Sequence, residues 1–213
     1  MGANHDGNGK RYAQKAPVSA IDDAVVVLIT NSTAWDGTTW TWNSGRAVAI
    51  CAAHSEFKAM VQHEAGGHGF AKLADEYYAD NTFIDEARRA NLLARREYGF
   101  FLNVDLTNDP AQVLWKDFIG HPKYPMAGIF EGGLYCSSGV WRPEKESLMF
   151  NNIPYFNAPS RAAIVKRIRT LAGEPFDMEW FMETDIIEPY VPTKATMNLL
   201  SLPPLPPPVW VVD

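Results

Sequence analysis

His63-Glu64-Ala65-Gly66-Gly67-His68-Gly69-Phe70-Ala71-Lys72-Leu73-Ala74-Asp75-Glu76-Tyr77 is the stretch on which the reading of this chain turns. It sets two histidines five positions apart, with a glutamate beside the first and an acidic pair after the second. On a regular α-helix, at about 100° per residue, a separation of four brings two side chains within about 40° of each other, whereas five leaves them about 140° apart. Imidazoles so placed point to different flanks and cannot grip one ion. One extra residue taken up as a π-bulge restores a shared face, and such bulges are frequent at functional sites. Gly66 and Gly67 are where the backbone most easily accepts the distortion, because glycine tolerates unusual dihedrals. The stretch therefore predicts a distorted helix that presents His63 and His68 to a common point.

Outward from this helix the pattern is mixed. The β-branched run from Ala24 to Thr30 predicts a strand buried on both faces, and Arg46 to Cys51 predicts a second strand just before the helix. Between them, residues 31–45 carry Trp35, Trp40 and Trp42 and read as a loop or hairpin. Ser55 is the expected cap of the active helix, with Phe57, Met60, Val61 and Glu64 on one side. Thr82 and Asp85 read as a capping pair for a helix that stops at Gly99. Asn157, Pro159 and Gly173 frame another, with Ile164, Ile168 and Leu171 expected inward. From Phe100 to Asn157, Gly, Pro and aromatic residues predict packed loops. Leu202 to Pro208 favours an extended polyproline conformation, as a linker or as an arm packed on the surface.

The expected fold class is α+β: a small mixed sheet, one active-site helix and a loop-rich C-terminal half. Residues 1–20 read as a polar segment, 21–175 as the catalytic domain and 176–213 as an extension with the proline-rich stretch. Composition narrows the function. The chain has 213 residues, 46% of them hydrophobic, which is enough for a proper core. A net charge of −6 disfavours general nucleic-acid binding, and no apolar run approaches the roughly 20 residues that span a bilayer. Cys51 and Cys136 exclude a multi-cysteine zinc site; one bridge or two buried thiols both stay open. No serine elbow, phosphate-cradling loop or dinucleotide fingerprint points to another enzyme class.

Two histidines around a glutamate form the helical zinc-peptidase pattern, in which imidazoles bind Zn2+ and the carboxylate handles protons. The stretch from His63 to Tyr77 resembles the signature of the bacterial IgA metallopeptidase family, a metzincin-like group of zinc endopeptidases. The expanded spacing also occurs in dipeptidyl peptidase III. Phe130-Glu131-Gly132-Gly133-Leu134-Tyr135, Gly139-Val140-Trp141-Arg142-Pro143 and Ser147-Leu148-Met149 are similar in order and spacing to the family's second block, which ends at a methionine turn. Asn103-Val104-Asp105 and Trp115-Lys116 fit the region between. The likeness runs from about Ala24 to about Leu171.

The resemblance implies a metzincin-like catalytic domain that hydrolyses peptide bonds of protein substrates with a metal-activated water. It implies His63, His68 and Asp75 as Zn2+ ligands, with Glu76 the alternative to Asp75. Metzincins take their third ligand six positions after the second histidine, beyond a turn glycine; here those places hold Ala74 and Ala71, and Asp75 comes one later. Glu64 is the expected general base. Tyr135 is the expected catalytic hydrogen-bond donor, with Arg142 as the other candidate, and Met149 the floor of the site. The substrate class implied is secreted host or dietary protein, including glycoproteins such as immunoglobulin A, and the location implied is secreted, cell-surface or periplasmic. Family members carry a β-sandwich upstream, so the chain is expected to be a catalytic piece.

Other readings stand beside this one. The Arg46–Cys51 strand is a candidate edge for an extended peptide. In the principal alternative, a catalytically impaired but metal-containing module recognises a protein or glycan through the Trp35/Trp40/Trp42 loop. In another, a structural zinc site with four protein ligands staples loops. Asp75-Glu76 also reads as a solvated acidic corner.

Overall fold

Val25–Thr30 (β1), Gly37–Trp42 (β2) and Ala47–Ala52 (β3) extend as strands, the conformation that suits their β-branched, threonine and tryptophan side chains. The structure, a computed structural model, describes residues 11, 13–17, 23–187 and 199–212. The polar stretch Met1 to Lys10 therefore lies outside the described residues. The chain divides into two compact units, Met1–Phe70 with Leu202–Asp213, and Ala71–Ser201. Both are small sheets with helices, and the class is α+β.

In the first unit, β3 is central: it pairs with β1 in parallel and with β2 antiparallel. A fourth strand, Val209–Val211, adds in parallel to the far side of β2. The sheet order is thus β1, β3, β2 and Val209–Val211. Two expectations are corrected here. β3 has both edges paired, so it cannot offer one to a peptide. β1 is an outer strand, and Val27 and Ile29 are 40% and 63% exposed, so it is not buried on both faces. The β-branched run reports a strand, but not the depth at which the strand lies.

Phe57–Val61 (α1) begins at Glu56, whose N–H donates to His54 Nδ1 at 3.0 Å; Ser55 is not its cap. From Gln62 to Phe70 the helix continues as a π-helix packed on β1, β2 and β3. Close approach needs glycine. A Cβ on Gly37 would sit 2.9 Å from Met60 Cγ and 3.2 Å from Glu64 Cγ, and one on Gly69 would sit 3.0 Å from Val25 Cγ1. Ala49, Cys51, Ala52, Met60 and Leu205 fill the core beneath. Cys51 and Cys136 are both buried free thiols. Burial, and then the charge of Glu64, pushes the Cys51 thiol up to about 12, which keeps it protonated.

In the second unit, Tyr78–Phe83 (β4), Phe130–Gly133 (β5) and Tyr135–Arg142 (β6) form a sheet in the order β4, β6, β5. The predicted loop region from Phe100 to Asn157 thus contains a hairpin. Its glycines and its turn, Leu134-Tyr135 in place of the usual Asn-Gly, give no hairpin signal. Glu86–Arg96 (α2) is capped by Asp85, which accepts from Arg88 N at 2.7 Å. Thr82 belongs to β4 instead, and its hydroxyl donates to Tyr135 O at 2.7 Å.

Leu148–Asn151 (α3), Ala158–Leu171 (α4) and Met178–Thr184 (α5) follow. Asn157 caps α4 as expected, accepting from Ser160 N. Its inward face is corrected in part: Ile164 packs against Ala71, Leu73 and Met149 as expected, but Ile168 and Leu171 are exposed, while the small Ala158 and Ala162 pack with Trp115, Phe118 and Phe181. Among the described residues no helix is long and apolar enough to cross a membrane.

Gly132 tests the hairpin's packing. Its φ is +108°, and an added Cβ would fall 2.3 Å from Tyr78 Cδ1. Gly132→Ala combines a strained backbone with a ring clash and is expected to destabilise by at least about 2 kcal/mol in urea denaturation. A change below a few tenths would contradict the register of β4 against the hairpin.

Candidate functional site

The histidines five apart face one another. His63 Nε2 and His68 Nε2 are 3.1 Å apart, with ring centroids at 4.8 Å and an interplanar angle of 75°. The cause is the backbone. In a π-helix the hydrogen bonds run from i to i+5, so residues five apart stack along one face. The deformation is broader than a bulge at the diglycine, since the whole stretch Gln62–Phe70 is π-helical. Gly66 and Gly67 contribute without left-handed dihedrals, as neither has a positive φ.

Past Phe70 the chain turns sharply at Lys72, a non-glycine residue with φ of 59°. Asp75 follows this turn by three residues. Along this unbroken stretch, His63, His68 and Asp75 each present one ligand atom, and the three atoms lie within 4.8 Å of one another.

These residues fit a divalent cation. Two nitrogens held at about 2.0–2.1 Å by a tetrahedral zinc-sized ion lie about 3.3 Å apart, close to the observed separation. His63 and His68 are each 1% exposed and Asp75 is 2% exposed. A cation there would meet the negative charge of the buried Asp75 carboxylate and the lone pairs of two neutral imidazoles at once. The donor set of two nitrogens and one oxygen suits a borderline ion. No fourth His, Cys, Asp or Glu joins the group among the described residues.

Glu64, fully buried, lies beside the first histidine on the π-helix. The Thr39 hydroxyl is 2.7 Å from Glu64 Oε2 and 2.9 Å from the Glu64 carbonyl oxygen, so its single proton is shared between them. A strand residue thus fixes both the side chain and the backbone of the glutamate.

Asp75 sits in a hydroxyl relay. The Tyr77 hydroxyl is hydrogen-bonded to the Asp75 carboxylate and lies 2.6 Å from the Tyr135 hydroxyl. Burial, and after it the Asp75 charge, holds the Tyr77 phenol far above its ordinary range, so it stays protonated. Tyr135 is delivered by strain: Leu134 and Tyr135 have φ of 51° and 62° at the tip of the β5–β6 turn. Non-glycine residues in this conformation cost about 1 kcal/mol or more each, and they cluster at functional sites.

Glu76 does not belong to the group of His63, His68 and Asp75. Its carboxylate accepts from Ser147 Oγ at 2.5 Å, Asn103 Nδ2 at 2.8 Å and Asn157 Nδ2 at 2.8 and 3.0 Å. Complete burial raises its pKa to about 7 against the pull of these donors and of Arg142. The same Asn103 brackets Ala74, accepting from its N–H at 2.8 Å and donating to its carbonyl at 2.9 Å. Met149, fully buried against Ala71 and Leu73, accepts from Glu76 N–H through its carbonyl. Asn103, Ser147 and Asn157 thereby hold the backbone on both sides of Asp75.

Sequence reasoning gave none of these three that role, nor Thr39 its role, because no spacing links them to the motif. Arg142 donates to the carbonyls of Glu131 and Gly132 and stacks on Phe150, so it is committed to the hairpin. Trp40 and Trp42 lie in β2, with Trp42 buried under the Arg46 guanidinium, and do not form an open aromatic loop. His54 Nδ1 accepts from Glu56 N–H, and His121 Nδ1 accepts from Lys123 N–H. No protein-family model matches this chain, and no curated protein matches it either.

The Glu76 clamp predicts a stability effect away from the metal ligands. Asn103→Ala leaves the buried Ala74 amide and carbonyl, and one Glu76 oxygen, short of a partner. It is expected to cost about 2–4 kcal/mol in chemical denaturation. A cost under about 0.5 kcal/mol would show that the clamp does not hold this segment.

Proposed function

We propose that the chain is a zinc-dependent endopeptidase domain, metzincin-like in its metal centre. The observation that supports this reading best is the convergence of His63, His68 and Asp75 on one buried point, with Glu64 beside the first histidine. Zn2+ held there supplies Lewis acidity, polarising a peptide carbonyl and activating water for attack.

The chain's own residues do the rest. His63 and His68 bind through Nε2 as neutral imidazoles, and Asp75 completes a three-ligand set of the kind catalytic zinc sites use. Tyr77 donates to Asp75 and fixes its orientation; Tyr135 acts behind it as a positioning residue. Glu64 accepts the proton from the attacking water at a carboxylate oxygen and passes it to the leaving amine. Thr39 holds Oε2 so that this oxygen does not swing away. Burial of the whole group keeps bulk water from competing with these contacts.

Two measurements test the reading. One equivalent of zinc is expected by elemental analysis, and His68→Ala is expected to weaken its binding by at least about 100-fold. Cleavage of an unstructured protein such as casein is expected to stop with chelator and return with stoichiometric zinc. Glu64→Gln is expected to retain zinc while kcat falls by about 10²- to 10⁴-fold. Full cleavage by metal-free protein, or by Glu64→Gln, would overturn the reading.

A further inference from the structure

Asn157, fully buried at the start of α4, is used at both branches of its side chain. Its Oδ1 accepts from Ser160 N–H at 3.0 Å, which caps the helix. Its Nδ2 lies 2.8 and 3.0 Å from the two oxygens of Glu76 and donates to that carboxylate. Capping by itself does not require asparagine, since Asp and Ser satisfy a helix start equally well. Asp has no donor to offer Glu76, and the one short hydroxyl of Ser is taken up by the cap. The amide therefore meets two needs, one of the helix and one of Glu76.

Glu76 in turn is the chain neighbour of Asp75. Its N–H donates to the Met149 carbonyl, and the Asp75 carbonyl accepts from Leu134 N–H at 3.0 Å. With the Glu76 carboxylate also held by Asn157, Ser147 and Asn103, the peptide between the two acids has little freedom. The direction in which Asp75 presents its oxygens is thereby set. α4 has attachments of its own. Glu144 accepts from Ala158 N–H at 3.1 Å and from the Tyr155 hydroxyl at 2.9 Å. Arg161 donates to the two Asp185 oxygens at 3.0 and 2.7 Å. These contacts keep the helix packed when Asn157 is changed, so that the change severs only its tie to the ligand segment.

We propose that Asn157 is a positioning residue that couples metal binding at Asp75 to the first turn of α4. A cation fixes Asp75, Asp75 fixes the peptide it shares with Glu76, and Glu76 fixes the side chain that caps the helix. By reciprocity, a looser cap weakens metal binding by the same factor that the metal tightens the cap. This coupling rests on the metal centre proposed above and is independent of hydrolysis.

Asn157→Ser and Asn157→Asp both keep a capping acceptor and remove the amide donor, and Asp also sets a second carboxylate against Glu76. Zn2+ affinity of the full chain, measured by competition with a chromophoric chelator, is expected to fall at least about tenfold in each. In Asn157→Asp/Glu76→Gln the amide N–H of Gln meets the carboxylate of Asp, which restores the pair in reverse. Most of the affinity is expected to return. The visible absorption of the Co2+-loaded protein, which reports ligand geometry, is expected to shift in Asn157→Asp and to regain its natural form in the double variant.

Hydrogen exchange reads the coupling from the other end. The Ser160 and Arg161 N–H groups bond to Asn157, and those of Arg88 and Arg89 bond to Asp85 in the same way at the start of α2. Zn2+ is expected to slow exchange in the first pair at least about fivefold more than in the second, and Asn157→Ser to abolish the difference. Unchanged Zn2+ affinity in a folded Asn157→Ser, or equal losses in Asn157→Asp and the double variant, would overturn the coupling and leave the metal centre intact. Should Asn157→Ser fail to fold, equal slowing at the two helix starts of the natural protein would overturn it alone. No Zn2+ uptake by the natural protein would overturn the metal centre and the coupling with it. The expected losses of affinity, with no hydrolysis of any protein, would sustain the coupling and overturn the peptidase reading instead.

Discussion

Hydrogen bonding from i to i+5 along Gln62–Phe70 is the constraint on which the site depends. An α-helical continuation of Phe57–Val61 would send the two imidazoles to opposite flanks. The π-helical form aligns them at 3.1 Å and leaves Glu64 adjacent on the next position. Such a helix is rarely stable by itself, so its packing must favour it. Three strands supply that packing, with Gly37 and Gly69 allowing close approach and Thr39 bonding the Glu64 carbonyl. The sheet thus selects the backbone form that the chemistry needs.

Asp75 is secured by a different device. Two hydroxyls lead to its carboxylate from a strained turn, and a buried carboxylate next door, Glu76, is clamped by three uncharged donors from distant parts of the second unit. Adjacent acidic residues therefore divide the labour: one is a candidate ligand, and the other fastens the chain that carries it. Burial of Glu76 is costly in itself, since desolvation outweighs its donors, and removing one donor would raise that cost further. Glu76 is thus buried among its own donors and does not belong to the group of His63, His68 and Asp75.

Much of this was legible in the sequence, and the limits are physical. The histidine spacing and the diglycine announced a helix distortion, although not that it would run through nine residues. Asp75 was named from a resemblance and from the competence of a carboxylate as a ligand, while the turn at Lys72 that precedes it had no sequence signal. The cap at Asn157 was read correctly because capping is local chemistry, whereas of the pair Thr82 and Asp85 only Asp85 caps the helix and Thr82 lies in β4. The Leu134-Tyr135 hairpin was invisible, since its turn contradicts ordinary turn preferences. Burial of β1, the inward face of α4 and the Asn103 clamp depend on neighbours far along the chain, which local periodicity cannot reveal. Trp35 looked like part of an open aromatic loop, whereas its partner, Pro203, lies 168 positions away.

The most direct measurement is a zinc-edge anomalous difference map from crystals of the zinc-loaded protein. The account predicts a single strong peak within bonding distance of His63 Nε2, His68 Nε2 and an Asp75 carboxylate oxygen, with a further coordination position not filled by protein. A map without a peak there, or with a fourth protein ligand closing the shell, would contradict it.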